Sequence, residues 1–221
     1  MKTMILAAGR GQRMGALTDH TPKPLLRVGK HALIEHLILR LASHGFTDIV
    51  MNVSYLAEKI MHALGDGARY GVTIEYSYEP KALGTGGGIF QALPLLGSDP
   101  FLAVSADLFT DFPFQQLPKK INGLAHVVLT DNPPFHPEGD YGLDAEQKLI
   151  FTPPQFNYAG ISVLHPDLFQ SCKQGEYSVI PVLNKAIEHR AVTGEHYRGL
   201  WMNVGDPEEL AKAQFIYSEL L

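Results

Sequence analysis

Apolar positions along the chain fall into short continuous runs and longer helical stripes, and the two kinds alternate. Met4-Ile5-Leu6 reads as a buried strand close to the start of the sequence. From His31 to His44 the apolar residues Leu33, Ile34, Leu37, Ile38, Leu41 and Ala42 recur at helical spacing, and Gly45 supplies a stop. Thr47 to Val53 is rich in β-branched residues and predicts a second buried strand. Tyr55 to Leu64 repeats the helical stripe and ends at Gly65. Val72 to Tyr78 alternates as a third strand. The loop Glu79 to Gly84 leads into Thr85-Gly86-Gly87-Gly88 and a short helix that Pro94 closes. Phe101 to Ser105 is a fourth strand, running on to Asp107.

The second half is less regular. Ala125 to Thr130 predicts a strand, and residues 131 to 140, rich in proline and acid, predict an exposed excursion. Tyr141 to Leu143 and Leu149 to Phe151 are expected to pair as a hairpin. Tyr158 to Leu164 predicts a strand and Val179 to His189 a helix. Arg198 to Val204 precedes a last helix, capped at Asp206-Pro207-Glu208 and running to the C-terminus. Its apolar face, with Leu210, Ala213, Phe215, Ile216 and Leu220, is expected to pack on the core. Strands alternating with helices at this spacing predict an α/β fold with a mainly parallel sheet. No repeat, low-complexity tract or linker interrupts the pattern, so one domain over residues 1–221 is expected.

Composition narrows the class of function. The hydrophobic share of 45% and charged share of 19% are ordinary for a soluble protein. A net charge of −5, without a basic stripe, argues against nucleic acid as a partner but leaves room for a small anion held by a few local cations. No stretch approaches the roughly 20 apolar residues of a membrane span, and the N-terminus lacks a signal-peptide pattern. The lone Cys172 allows no internal disulfide. The expectation is a cytoplasmic protein with no membrane partner.

Candidate chemistry begins directly after the first strand. Leu6 to Thr18, L-A-A-G-R-G-Q-R-M-G-A-L-T, keeps the backbone bare with alanine and glycine and then places Arg13. Exposed amides beside a guanidinium suit a phosphate chain. A second cation, Lys23, stands between Pro22 and Pro24, where no helix continues. Two standard readings fail. A dinucleotide fingerprint needs glycine at Met14 and an acid where Asn52 closes the second strand. A P-loop needs serine or threonine after Gly29-Lys30, where His31 stands. A purely structural turn remains open at this point. Asp107, in S-A-D-L-F-T-D, lies at the carboxyl end of a strand, where open α/β sheets place ligands and where a carboxylate can hold Mg²⁺. Asp111 better suits a turn. The scattered histidines form no zinc pattern, and no G-x-S-x-G elbow is present.

Taken together, L-A-A-G-x-G-x-R-M-x-x-L-T, P-K-P, Leu83 to Gly88, Asp107, N-Y-A-G-I at 157–161 and W-M-N-V-G at 201–205 resemble the motifs of sugar-1-phosphate nucleotidylyltransferases, in order and over nearly the whole chain. The resemblance implies a three-layer Rossmann-like fold of the nucleotide-diphospho-sugar transferase (GT-A-like) kind, with a mixed, mainly parallel sheet. It also implies Mg²⁺ as cofactor, with a nucleoside triphosphate and a sugar 1-phosphate as substrates. Within the family, T-G-G-G-I, A-G-I-S-V-L-H-P and G-E-H-Y-R-G-x-W look most like the branch that joins UTP to N-acetylmuramate 1-phosphate in wall recycling. Mannose-1-phosphate guanylyltransferases share most of the motifs.

By resemblance, Arg13 holds the triphosphate and leaving group, Lys23 bridges toward the α-phosphate, and Asp107 is the principal metal ligand. Ala8, Gly9, Gly11, Gln12, Glu79, Thr85, Gly86 and Ser105 are the further expected nucleotide contacts. Gly142, Asn157 and Asn203 are expected at the sugar. Asn203 stands where the family's second metal carboxylate normally falls, so it is a metal candidate bringing an amide oxygen but no charge. Asp206, nearby, is expected to cap the last helix. Larger relatives carry a sugar-phosphate lysine in an E-K-P segment, and the region near Phe151-Thr152-Pro153-Pro154 has none. A non-catalytic nucleotide-sugar-binding module is the alternative of another class. With no additional domain in view, a monomer is the expectation.

Overall fold

The computed structural model describes residues 1–219. Strand β1 (Thr3–Leu6) runs into a loop with two 3-10 turns, Gln12–Thr18 and Lys23–Leu25. A small hairpin, β2 (Arg27–Val28) with β3 (His31–Ala32), then delivers helix α1 (Leu33–Ser43). The predicted start of α1 at His31 is two residues early because the hairpin claims His31 and Ala32. Glu35 fixes the true start by accepting the Ala32 N–H at 2.7 Å. The chain continues through β4 (Asp48–Val53), α2 (Ala57–Leu64), β5 (Thr73–Tyr78), α3 (Gly84–Leu96) and β6 (Phe101–Ser105). Helix α3 takes in the whole glycine run and continues two residues past Pro94, which cannot donate to the carbonyl one turn before it.

After β6 come β7 (Leu108–Thr110), β8 (Ala125–Thr130), the hairpin β9 (Gly142–Leu143) with β10 (Leu149–Ile150), and β11 (Asn157–Leu164). Helix α4 (Ile180–Glu188), β12 (Val192–His196), β13 (Trp201–Asn203) and α5 (Pro207–Glu219) complete the order. Asp206 caps α5, its carboxylate accepting the Glu209 N–H at 2.9 Å. Leu220 and Leu221, which the last-helix expectation included, lie outside the described residues.

Seven strands form the central sheet in the order β12-β8-β11-β6-β1-β4-β5. All neighbours are parallel except β11, which runs antiparallel between β6 and β8. The sheet is therefore mainly parallel, as the sequence pattern predicts, and mixed, as the family resemblance implies. Alternate side chains feed two cores. Ile5, Ile49 and Met51 pack with Ile34, Ile38 and Ile60 under α1 and α2, while Met4 and Val50 pack with Ile89, Phe101 and Leu183 under α3 and α4. The result is three layers, helices on both faces of a Rossmann-like sheet. A third cluster, including Met14, Val28, Leu33, Phe109, Met202, Val204 and Leu210, seals the first loop and α5 against the β7–β13 ribbon. The core face expected of α5 is narrower than its sequence stripe: Leu210 and Ala213 are buried, but Phe215 is 66% exposed.

Candidate active site

The chain leaves β1 for β4 on one side and later returns to β6 on the other, so the strand order reverses between β1 and β6. Loops diverge at such a switch point and leave a crevice beyond the carboxyl ends of the strands. Here the crevice is a cavity of about 230 Å³. Leu6 to Gly9 and Gly11 form one wall, Ser105 to Asp107 the opposite wall, and Lys23, Pro24, Asn52, Ala82, Gly84 and Thr85 close the rim. Seven expected contacts, Ala8, Gly9, Gly11, Lys23, Thr85, Ser105 and Asp107, are thereby brought together. Among the described residues, the amides of Ala8, Gly9 and Gly11 donate to no backbone or side-chain acceptor, which leaves them free for a ligand. Gly11 adopts a left-handed φ of 71°, and a Cβ there would lie 3.0 Å from the Lys23 Cβ, so the bare loop and the lysine stem pack directly.

Lys23 opens a 3-10 turn held by the Leu25 N–H to Pro22 carbonyl bond at 2.8 Å, which fixes the root of its side chain. Its ammonium crosses the cavity and pairs with Asp107 Oδ2, with only 14% and 19% of the two side chains exposed. The Asp107 carbonyl accepts the Val204 N–H at 2.9 Å, and Asn203 stands opposite Leu108 in the β7–β13 ribbon. The backbones of the two candidate metal residues, far apart in sequence, thus run side by side, although Asn203 does not line the cavity. The Asn203 Oδ1 is buried and accepts no hydrogen bond among the described residues. Arg13 is not on the cavity wall. It is exposed, pairs with no carboxylate among the described residues, and packs its guanidinium over Gly205, where a Cβ would lie 2.5 Å from Nη2. Gln12 is exposed in the same 3-10 turn and likewise does not line the cavity.

Two of the expected nucleotide contacts need correction. Glu79 is fully buried. Its Oε1 accepts from Asn52 Nδ2 at 2.7 Å and its Oε2 from the Leu83 N–H at 2.8 Å, while Asn52 Oδ1 accepts the Ala7 N–H at 2.9 Å. Glu79 therefore sits beneath the cavity, out of reach of its contents, and positions the loops after β1 and β5. Gly86 is also withdrawn: its N–H donates to the Tyr177 carbonyl at 2.9 Å, and a Cβ would lie 2.6 Å from the Tyr177 ring. The glycine run serves helix packing throughout, since a Cβ on Gly88 would stand 2.5 Å from Asn52 Nδ2 and 2.6 Å from Glu79 Oε1. Asn52 is the residue that sequence reasoning missed. Its one signal was a polar side chain next to the end of a strand that is apolar from Ile49 to Met51.

The expected sugar contacts lie apart from this cavity. Asn157 begins β11 opposite Thr130, is 7% exposed, and donates through Nδ2 to the Tyr158 carbonyl at 3.1 Å. Gly142 is one position from Tyr141, which bridges Phe156 beside it. A Cβ on Gly142 would lie 2.5 Å from the Pro153 carbonyl, so this glycine answers a close backbone approach. Neither residue lines the cavity. Because β11 is antiparallel to β6, its first residues lie at the same sheet edge as Asp107, and both positions extend that edge toward β8.

A bare loop with free amides at a switch point, with a lysine–aspartate pair facing it, is an arrangement suited to a phosphate-bearing ligand on an open α/β sheet. The nucleotidyl transferase family model matches residues 2–148. An N-acetylmuramate alpha-1-phosphate uridylyltransferase of Neisseria meningitidis serogroup B is 43% identical, with 97% of each chain covered. A mannose-1-phosphate guanyltransferase of Debaryomyces hansenii is 32% identical over 98% of this chain, which spans 64% of that longer relative. A putative glucose-1-phosphate thymidylyltransferase structure from Bacillus anthracis superposes with a TM-score of 0.87 at 23% identity, covering 98% of this chain and 95% of that one. The chain belongs to the nucleotidyl transferase family.

Proposed function

We propose that the protein transfers a nucleoside monophosphate from a nucleoside triphosphate to a sugar 1-phosphate and releases pyrophosphate. UTP and N-acetylmuramate 1-phosphate are the favoured pair, a choice supported by the 43% identity to the Neisseria enzyme over nearly the full length of both chains. The observation that carries the reaction class is the convergence of the free loop amides, Lys23 and Asp107 on one cavity at the switch point. Family membership adds the phosphoryl-transfer chemistry itself. The same reading makes residues 1–221 one catalytic domain working in a bacterial cytoplasm. No described helix is long and apolar enough to cross a membrane.

In-line attack by one phosphate on another gathers anions and leaves charge on the departing pyrophosphate, so positioning and fixed cations supply most of the rate. The amides of Ala8, Gly9 and Gly11 bind and orient the triphosphate. Lys23 reaches the α-phosphate, and Arg13, outside the cavity wall, faces the outer phosphates and leaving group. The donor set suits Mg²⁺. Asp107 offers a carboxylate, and the buried, unpartnered Asn203 Oδ1 offers a second hard oxygen. Among the described residues no group of three His, Cys, Asp or Glu side chains gathers, which fits an ion held largely by substrate phosphates. When bound, Mg²⁺ supplies charge neutralisation and orientation of the phosphate oxygens. Lys23 now pairs with Asp107, so the arriving triphosphate gives its ammonium a second acceptor.

The test is a pyrophosphate-release screen of the four nucleoside triphosphates against sugar 1-phosphates in Mg²⁺ buffer. Release with UTP and N-acetylmuramate 1-phosphate above the other pairs is expected. Release with no pair would refute the assignment.

A further inference from the structure

One side chain joins the strand that carries Asn203 to the strand that begins at Asn157. In β11 the register breaks: Tyr158 faces Leu129 but Ser162 faces Val127, so β11 bulges between them. Gly160, in the bulge, has a φ of 71°, and a Cβ on it would lie 2.9 Å from Ser105 Oγ, on the cavity's far wall. A bulge takes backbone groups out of the ladder, and a buried carbonyl without a donor is costly. The carbonyl concerned belongs to Ala159, itself 1% exposed, and it accepts the indole N–H of Trp201 at 2.9 Å. Trp201 and Asn203 are two residues apart on β13 and therefore point to one face of the ribbon that passes beside Asp107. The indole is thus a strut from the Asp107–Asn203 side of the site to the bulge two residues after Asn157.

We propose that Trp201 is a positioning residue for the sugar 1-phosphate, setting the β11 bulge, and with it the Asn157 end of the site, relative to Asp107 and Asn203. The proposal rests on the sugar-1-phosphate reading given above. It assigns the indole N–H a role that an apolar ring of similar shape cannot fill. Trp201→Phe keeps a packed aromatic and removes the donor. The KM for N-acetylmuramate 1-phosphate should then rise about tenfold while the KM for UTP stays within about twofold. A purely structural role would lower the melting temperature without separating the two constants, and that result would overturn the proposal. So would two unchanged constants. The native protein gives a second readout, because Trp201 is the only tryptophan in the sequence. Sugar 1-phosphate added without nucleotide should shift or quench its emission, and an unaltered spectrum at saturating sugar phosphate would count against the strut even if Trp201→Phe does not fold. Lack of pyrophosphate release from the unaltered enzyme with any sugar phosphate would instead defeat the functional reading, a result distinguishable from either of these.

Discussion

Replacing Asn52 by alanine attacks the floor of the nucleotide cavity without touching a residue assigned to phosphate or metal. Its Oδ1 accepts the Ala7 N–H and its Nδ2 donates to the fully buried Glu79. Truncation leaves the Ala7 amide unpaired in a position 3% exposed, at a cost of about 1–3 kcal/mol. It also removes a hydrogen bond to a carboxylate, worth about 1.5–3 kcal/mol. Together with the small void, Asn52→Ala should lose about 3–5 kcal/mol, a large share of the roughly 5–15 kcal/mol that holds a typical domain. Urea unfolding should show a lower midpoint at an unchanged slope. Where the variant stays folded, the KM for UTP should rise, because Ala7 roots the amides proposed to cradle the phosphates. A stability loss under about 1 kcal/mol with an unaltered UTP KM would refute the idea that this buried network holds the loop.

Three further outcomes follow from particular side chains. Gly88→Ala pushes a methyl into Asn52 and Glu79 and should destabilise by about 1–3 kcal/mol, whereas the same change at Gly9, where nothing lies within 4 Å, should leave the midpoint near its parental value. Asn203→Asp should lower the Mg²⁺ concentration needed for half-maximal turnover, since a carboxylate would replace the neutral oxygen proposed as the second metal ligand; an unchanged Mg²⁺ requirement would remove Asn203 from the metal. Burial, outweighing the bond to the Val28 carbonyl, depresses the His36 pKa below the ordinary histidine range. The folded state therefore binds fewer protons than the unfolded one in that range. Stability from neutral His36 is whole above the unfolded histidine pKa and is lost as pH falls below it, so His36→Gln should flatten that limb of the unfolding-against-pH curve.

Much of this architecture was legible because buried strands and amphipathic helices carry their own period. Met4-Ile5-Leu6, the Leu33 to Leu41 stripe and the Phe101 to Ser105 run each declare their element locally. Strand direction has no such signature: nothing in Asn157 to Leu164 says that it inserts antiparallel between β6 and β8. The β7–β13 ribbon is also hidden, since three-residue strands are too short to show alternation. At the site, Lys23 and Asp107 were readable as chemistry, but what the glycine run packs against was not. Gly86 meets Tyr177 and Gly88 meets Asn52 and Glu79, contacts that depend on how distant segments dock. Glu79 shows the same limit. An acid after a strand looks like a ligand contact until its burial and two donors make it a brace.

The central claim is that Asp107 and Lys23 face a reacting nucleotide across one cavity. It is tested most directly by pyrophosphate release from UTP and N-acetylmuramate 1-phosphate by Asp107→Ala and Lys23→Ala, each first shown to unfold cooperatively. Each variant should turn over about a hundredfold more slowly than the parent, on the order of 3 kcal/mol of transition-state stabilisation. Near-parental turnover by either folded variant would contradict the account.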